Sequence, residues 1–144
     1  MEVNLIFEAT KQEELLEIAT QILSTCTDSK IFTFTGDLGA GKTSFIQAFC
    51  KVLGYNQEVT SPTFSLVNEY KTLEDTLFHM DLYRLRSISE AHEIGIEEYL
   101  FSGHYCFIEW PQIIEELLDM GHYSVHIIIT ESFTRKIEIH KVSY

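Results

Sequence analysis

A glycine-rich motif in the first third of the chain could bind a triphosphate. Residues 36–43 read GDLGAGKT and satisfy the pattern G-x-x-x-x-G-K-[ST]. Glycines let successive backbone N–H groups curl around an anion, and a helix beginning at the motif directs its positive end toward the phosphates. Lys42 can reach the β- and γ-phosphates, and the Thr43 hydroxyl can ligate Mg²⁺. The predicted nucleotide site therefore contains Asp37, Leu38, Gly39, Ala40, Gly41, Lys42, Thr43 and Ser44.

Two acidic residues follow later strand-like runs and could complete this site. Asp81 ends the apolar run that begins at Leu77, and Glu109 directly follows the run Tyr105–Ile108. P-loop enzymes hold their metal with an acid at the end of a neighbouring strand, so Asp81 is a candidate metal ligand. Glu109 could complete the metal shell, polarise the attacking water, or stabilise the N-terminus of a helix that Pro111 begins. The candidate catalytic residues are Lys42, Asp81 and Glu109.

A short polar stretch lies where P-loop proteins carry the segments that sense the γ-phosphate. Ser61–Phe64 stands between the helix that follows the P-loop and the strand that ends at Asp81. Ser61 and Thr63 are therefore candidate switch residues. The same stretch contains Pro62, so a proline-fixed turn that leads into a strand is expected whether or not the segment is a switch.

The residues around Asp81 and Glu109 include an arginine and two aromatic side chains. Arg84 follows Asp81 by three positions and could stabilise developing charge, contact a partner, or pair with a surface acid. Tyr83 could pack in a switch or at an interface. Trp110, the single tryptophan of the chain, follows Glu109 and offers a fluorescence reporter of the site.

The hydrophobic patterns predict the elements that must position these residues. The predicted helices are Lys11–Leu23, with Thr10 as N-cap and Glu13 closing a capping box, Thr43–Leu53, Ile88–Tyr99 broken at Gly95, and Pro111 to about Met120. The predicted strands are Val3–Ala9, Ile31–Thr35, Thr63–Tyr70, Leu77–Leu82, Tyr105–Ile108, Ser124–Thr130 and Arg135–Val142. Their order predicts one domain over residues 1–144 with a three-layer, P-loop NTPase-like α/β fold. Its central sheet is expected to be mostly parallel, with antiparallel edge strands.

Composition narrows the classes of function. The 144 residues contain 10 Lys and Arg against 22 Asp and Glu, a formal net charge of -12, so the chain is not expected to bind a nucleic-acid backbone by itself. Three cysteines without a CxxC pair indicate neither a zinc knuckle nor a redox motif, and they fit a reducing compartment. No run approaches the roughly 20 apolar residues of a membrane helix. We expect a soluble, cytoplasmic protein with no membrane partner.

Five segments in a fixed order resemble one known family. The segments GDLGAGKT, SPTFSLVNEY, FHMDLYRL, GIEEYLF and IEWP occur in this order along one short chain. Together they resemble the TsaE family, small bacterial ATPases required for making threonylcarbamoyladenosine in tRNA. The resemblance covers about Val3 to Val142. The P-loop alone is shared by many families, whereas the HMDLYRL and EWP segments are far more discriminating.

The resemblance implies ATP and Mg²⁺ as cofactors and assigns roles to individual positions. Gly39 to Thr43 would bind the triphosphate, and Thr43 and Glu109 would bind Mg²⁺. Asp81 would be the Walker-B-type acid. The two switches would be Ser61–Phe64 and Asp81–Arg84. The adenine would lie near Thr10, and a basic residue of the last strand, Arg135 or Lys136, would cover the base.

The resemblance also implies partners. TsaE proteins act with TsaB and TsaD, and TsaD transfers the threonylcarbamoyl group to tRNA. TsaE would be a weak ATPase on its own that binds at the TsaB–TsaD junction, where hydrolysis resets the complex between turnovers. tRNA would then be met only through the partners, in agreement with the acidic charge.

Other P-loop classes fit the residues less well. A small kinase usually carries several arginines and a lid, whereas this chain has three arginines and no evident lid. A GTPase would carry an NKxD-type motif, which does not occur here. A module that binds nucleotide only to set the shape of a partner surface, without needing hydrolysis, stays open.

Overall fold

A seven-stranded sheet forms the centre of the protein. The computed structural model describes residues 4–37, 39–60, 62, 66–130 and 134–143. The strands are β1 (Asn4–Ala9), β2 (Ile31–Thr35), β3 (Val67–Lys71), β4 (Thr76–Asp81), β5 (Tyr105–Glu109), β6 (His122–Ile129) and β7 (Arg135–Val142). The helices are α1 (Glu14–Thr25), α2 (Lys42–Val52), α3 (Ile88–Glu93), α4 (Ile96–Leu100) and a 3-10 helix, Pro111–Leu117.

The strand order is β1-β7-β6-β2-β5-β4-β3. The four central strands pair in parallel, β6 with β2, β2 with β5 and β5 with β4. The outer pairs, β1 with β7, β7 with β6 and β3 with β4, are antiparallel. The predicted fold class is confirmed, including the parallel centre and the antiparallel edges.

Helices cover both faces of the sheet, because residues alternate between the faces along each strand. Buried side chains of α1 and α2 share one core with Phe32, Phe34 and Phe107 of the sheet. Buried side chains of α3, α4 and the 3-10 helix share the other core with Phe78, Met80 and Ile108. His79, Asp81 and Glu109 fall at the alternate positions of β4 and β5, on the face that α2 covers.

The start of the first helix differs from the prediction. Helix α1 begins at Glu14 rather than Lys11, and Glu13, at the N-cap position, makes no side-chain capping bond. Thr10 is not an N-cap, because its hydroxyl donates to the Glu14 carboxylate at 2.8 Å. The same carboxylate accepts from the Lys11 amide, and the Glu14 amide donates to the Lys11 carbonyl, so residues 10–13 form a turn ahead of the helix.

The helix predicted from Pro111 to about Met120 is a 3-10 helix that ends at Leu117. The other helical predictions agree with the structure to within one or two residues, including the break at Gly95. Among the described residues, no helix is long and apolar enough to cross a membrane.

Candidate functional site

The site lies where three neighbouring parallel strands end. Strand β2 leads into the P-loop, and β5 and β4 end at Glu109 and Asp81, which oppose one another in the strand register. Ligands in α/β sheets bind at the carboxyl ends of such strands, beside the positive end of the following helix. The structure therefore brings together the P-loop and the two acids that the sequence singled out.

A cavity of about 450 Å³ opens between these elements. It is lined by Gly39, Gly41, Lys42, Thr43, Ser44, Asp81, Glu109, Trp110 and Arg135. Of the other predicted P-loop residues, Ala40 is buried and its amide donates to the Asp37 carbonyl at 3.0 Å. Leu38 lies outside the described residues.

The P-loop lysine is turned inward onto its own loop. Its ammonium group donates to the carbonyls of Gly36 at 2.7 Å and Asp37 at 3.1 Å, and lies 4.3 Å from the centre of the Trp110 indole ring. Lys42 is 5% exposed, and burial lowers the pKa of its ammonium, although the charges of Glu109, Asp81 and Asp37 oppose that shift. A bound phosphate would have to replace these carbonyl contacts.

The hydroxyl of Thr43 faces the carboxylate of Glu109. Thr43 Oγ1 donates to both carboxylate oxygens, at 3.1 Å to Oε2 and 3.3 Å to Oε1. Glu109 is 3% exposed, and its Oε2 also lies 2.7 Å from Nε2 of His79. Among the readings that the sequence left open for Glu109, this contact favours a metal role, since a P-loop threonine and an acid share the metal.

The carboxylate of Asp81 stands beside Glu109, and its Oδ1 accepts a hydrogen bond from the Tyr83 amide at 3.1 Å. Partial burial raises the pKa of the Asp81 carboxyl, and the neighbouring Glu109 charge adds to that rise. The backbone bond from Tyr83 and the charges of His79 and Lys42 act in the opposite direction. Asp81 is thus a carboxylate at the rim of the cavity whose charge would be stabilised by a nearby cation.

Trp110 covers the site in an unusual backbone conformation. It adopts φ 56° and ψ 62°, although bulky residues rarely take a positive φ and residues before proline favour extended backbone. This turn places the indole over the Lys42 ammonium, and the ring of Tyr83 packs against it at 4.9 Å. Such strain has a typical magnitude of about 1–3 kcal/mol and tends to occur at functional sites.

Arg135 reaches the P-loop. A Cβ atom added to Gly41 would lie 3.1 Å from Cζ of Arg135, and Gly41 has a φ of +93°, so glycine fits here for two reasons. Lys136 instead pairs with Glu138 at 3.4 Å, on the alternate face of the strand. Arg135 therefore lines the cavity beside the P-loop glycines.

Thr10 lies at the same end of the sheet as Arg135. It directly follows Ala9, which pairs with Arg135 across β1 and β7. Its side chain is exposed and bonded to Glu14, and Thr10 is not among the residues that line the cavity.

Other predicted switch and partner residues have different outcomes. Tyr83 is 56% exposed, and Arg84 is exposed and makes no ion pair within the described part of the chain. Pairing of Arg84 with a surface acid therefore finds no support there. Ser61 and Thr63 lie outside the described residues.

The donor atoms that surround the cavity suit Mg²⁺. Thr43, Glu109 and Asp81 offer hydroxyl and carboxylate oxygens, which this hard cation prefers. The described residues contain no group of three or more His, Cys, Asp or Glu side chains that could hold a metal. Proteins usually bind Mg²⁺ through one or two carboxylates together with substrate phosphates and water, and the residues present fit that mode.

Sequence reasoning missed the importance of His79 and Tyr70. His79 lies within the apolar run that ends at Asp81, and no motif of the sequence includes Tyr70 as a site residue. The structure places His79 against Glu109, with Tyr70 behind it at 3.3 Å. The available signal was the alternation along β4, which puts His79 on the same face as Asp81.

Comparisons with known proteins agree on one family. A family model described as "Threonylcarbamoyl adenosine biosynthesis protein TsaE" matches residues 9–137. A Rickettsia bellii protein named "tRNA threonylcarbamoyladenosine biosynthesis protein TsaE" is 39% identical over 129 residues, which cover 89% of each chain. A Bacillus subtilis protein of the same name is 38% identical over 115 residues, covering 80% of this chain and 72% of the relative.

A solved structure is also similar. The crystal structure of Bacillus subtilis YdiB superposes with a TM-score of 0.77 at 30% identity. The alignment covers 99% of this chain and 88% of that one.

Proposed function

The chain belongs to the TsaE family, which serves threonylcarbamoyladenosine biosynthesis, and from this premise we propose that it is a Mg²⁺-dependent ATPase of that machinery. The proposal is carried by one observation, the 3.1 Å contact between the Thr43 hydroxyl and the Glu109 carboxylate beside Lys42. These three groups stand at the carboxyl ends of parallel strands, where a P-loop enzyme assembles its triphosphate and metal.

The phosphates are bound by the loop and by Lys42. Backbone N–H groups of residues 39–43, at the positive end of α2, donate to phosphate oxygens. The Lys42 ammonium leaves the carbonyls of Gly36 and Asp37 and stabilises charge on the γ-phosphoryl group. Arg135, which lines the cavity beside Gly41, is available to a phosphate or the ribose.

Thr43 and Glu109 would hold Mg²⁺, and Asp81 would hold its water shell or ligate it. When bound, the ion would neutralise negative charge on the phosphates. Asp81 accepts a hydrogen bond from the attacking water and aligns it with the γ-phosphorus. The water oxygen bonds to phosphorus as the bond to the bridging oxygen breaks, which yields ADP and phosphate.

We propose that turnover depends on partners, the TsaB and TsaD proteins. The exposed side chains of Tyr83 and Arg84, next to Asp81, form a surface through which a partner can act on the site. P-loop enzymes that lack an arginine finger turn over slowly, on the order of 10⁻⁴ s⁻¹. The net charge of -12 supports a division of labour in which tRNA is bound by the partners.

The decisive measurement is the rate of Mg-ATP hydrolysis, alone and after addition of the cognate TsaB–TsaD pair. We expect a slow basal rate that rises with the pair. Lys42→Ala should abolish both rates, whereas Lys51→Ala, which removes an exposed lysine from the last turn of the same helix, should change neither.

Two other results would redirect the assignment. A hydrolysis rate that does not change when the TsaB–TsaD pair is added would contradict the proposed dependence on partners. Nucleotide binding without any hydrolysis would favour the interaction module that the sequence left open.

A further inference from the structure

His79 is a fully buried histidine in contact with the site. It is 0% exposed, and its Nε2 lies 2.7 Å from Oε2 of Glu109. An ionised carboxylate can only accept hydrogen bonds, so Nε2 is the donor. On the opposite side of the ring, Nδ1 lies 3.3 Å from the Tyr70 hydroxyl.

The hydrogen bonds continue beyond the histidine. The Tyr70 hydroxyl lies 3.2 Å from the Thr60 carbonyl oxygen, and the Asn68 amide donates to both groups, at 3.2 Å and 3.1 Å. Tyr70 is 6% exposed, so the links that include His79 and Glu109 are shielded from water. A continuous chain therefore runs from the Thr43 hydroxyl to the backbone at Thr60.

We propose that His79 is a positioning residue that fixes the orientation of Glu109 toward Mg²⁺, and that Tyr70 holds His79 for this task. The inference rests on the proposed function and adds residues to it. A carboxylate that is 3% exposed has little water with which to replace a lost donor, so removing the imidazole frees its terminal torsion. Residues that orient metal ligands typically contribute about 10–100-fold to metal affinity.

The experiment measures how strongly Mg²⁺ tightens nucleotide binding in the full chain. A non-hydrolysable ATP analogue is titrated with Mg²⁺ or with EDTA, and binding is followed through Trp110 fluorescence. The metal coupling is the Kd in EDTA divided by the Kd in Mg²⁺. This readout involves no turnover. Loss of fold alone would lower the affinity both in EDTA and in Mg²⁺, rather than the ratio of the two.

His79→Phe fills the same space without a donor, and His79→Gln keeps an N–H that can reach Glu109. We expect His79→Phe to lower the metal coupling about 10–100-fold, with the Kd in EDTA changed less than about twofold because His79 does not line the phosphate cavity. His79→Gln should recover most of the coupling. Thermal unfolding checks that each variant folds, and His79→Gln still tests the inference if His79→Phe does not fold.

Tyr70→Phe tests the second link. We expect a smaller loss of coupling, about threefold to tenfold, and no additional loss when the change is combined with His79→Phe, because both act along one chain of contacts. Tyr123→Phe is the matched control. That tyrosine is also buried, and its hydroxyl accepts a bond from the Asp28 amide away from the site.

The results separate this inference from the proposed function. A natural-sequence chain that binds the analogue equally with and without Mg²⁺ overturns both. Strong coupling in that chain that persists in His79→Phe, or that His79→Gln loses as fully as His79→Phe, overturns the positioning role alone. Loss in His79→Phe with recovery in His79→Gln supports it.

Discussion

Replacing Glu109 in two ways separates its charge from its hydrogen bonds. Glutamine removes the charge but keeps an oxygen that can accept from Nε2 of His79, whereas alanine removes both. The desolvation of a buried charge and its repulsion with Asp81 disappear in both variants. These contributions therefore cancel when the two are compared.

The remaining difference can be worked out from the structure. In Glu109→Ala the buried Nε2–H donor of His79 loses its acceptor, which costs about 1–3 kcal/mol. The lost methylene adds about 0.8 kcal/mol of burial. Glu109→Ala should therefore be less stable than Glu109→Gln by about 2–4 kcal/mol.

Urea unfolding of the nucleotide-free chain measures this difference. With a urea dependence of about 2 kcal/mol per molar, the midpoints should differ by about 1–2 M. Both variants should lose the effect of Mg²⁺ on nucleotide affinity equally, since neither has a carboxylate at position 109. Equal midpoints would refute the reasoning, because the contact between His79 and Glu109 would then contribute nothing to the fold.

Two further predictions concern stability. Asp81→Asn should raise the Tm of the nucleotide-free chain at pH 7, because a raised native pKa means that ionised Asp81 destabilises the fold. This gain should shrink as the pH falls through the native pKa toward about 4, where Asp81 itself becomes protonated, and a constant gain in a series of melts would contradict the pKa argument. Phe49→Ala should lose about 3–5 kcal/mol in urea unfolding, since Phe49 is fully buried among Phe32, Phe34 and Phe107. The exposed Leu73→Ala control should stay within about 0.5 kcal/mol, and equal losses in the two would place the core elsewhere.

Much of the fold could be predicted because local patterns and topology agree. The β-prone run before the P-loop and the helix after it are local signals, and the alternation of helices and strands predicts a parallel centre. The predictions are wrong where the local sequence fits two structures equally well. Apolar residues three apart after Pro111 fit an α-helix or a 3-10 helix, and either Glu13 or Glu14 could have bonded back to Thr10.

Residues of the candidate site could be predicted from the sequence where a motif or a single residue indicates its own chemistry. Lys42 and Thr43 belong to a motif, and Asp81 and Glu109 each end an apolar run. The role of Tyr70 depends on how β3 pairs with β4, where Asn68 lies opposite His79. That register is set by the length and geometry of the turn between the two strands, which the residue pattern of either strand does not reveal.

The charges around the cavity explain why the position of Glu109 should matter so much. Lys42 and Arg135 are the cations that line it, against the carboxylates of Asp81 and Glu109, in a chain of net charge -12. A triphosphate without a metal would meet two carboxylates in a partly desolvated space, where charges are poorly screened. In the proposed function, Mg²⁺ would offset that repulsion when a carboxylate points at the ion. On the positioning role proposed above, the donor that orients this carboxylate would then influence nucleotide affinity without touching the nucleotide.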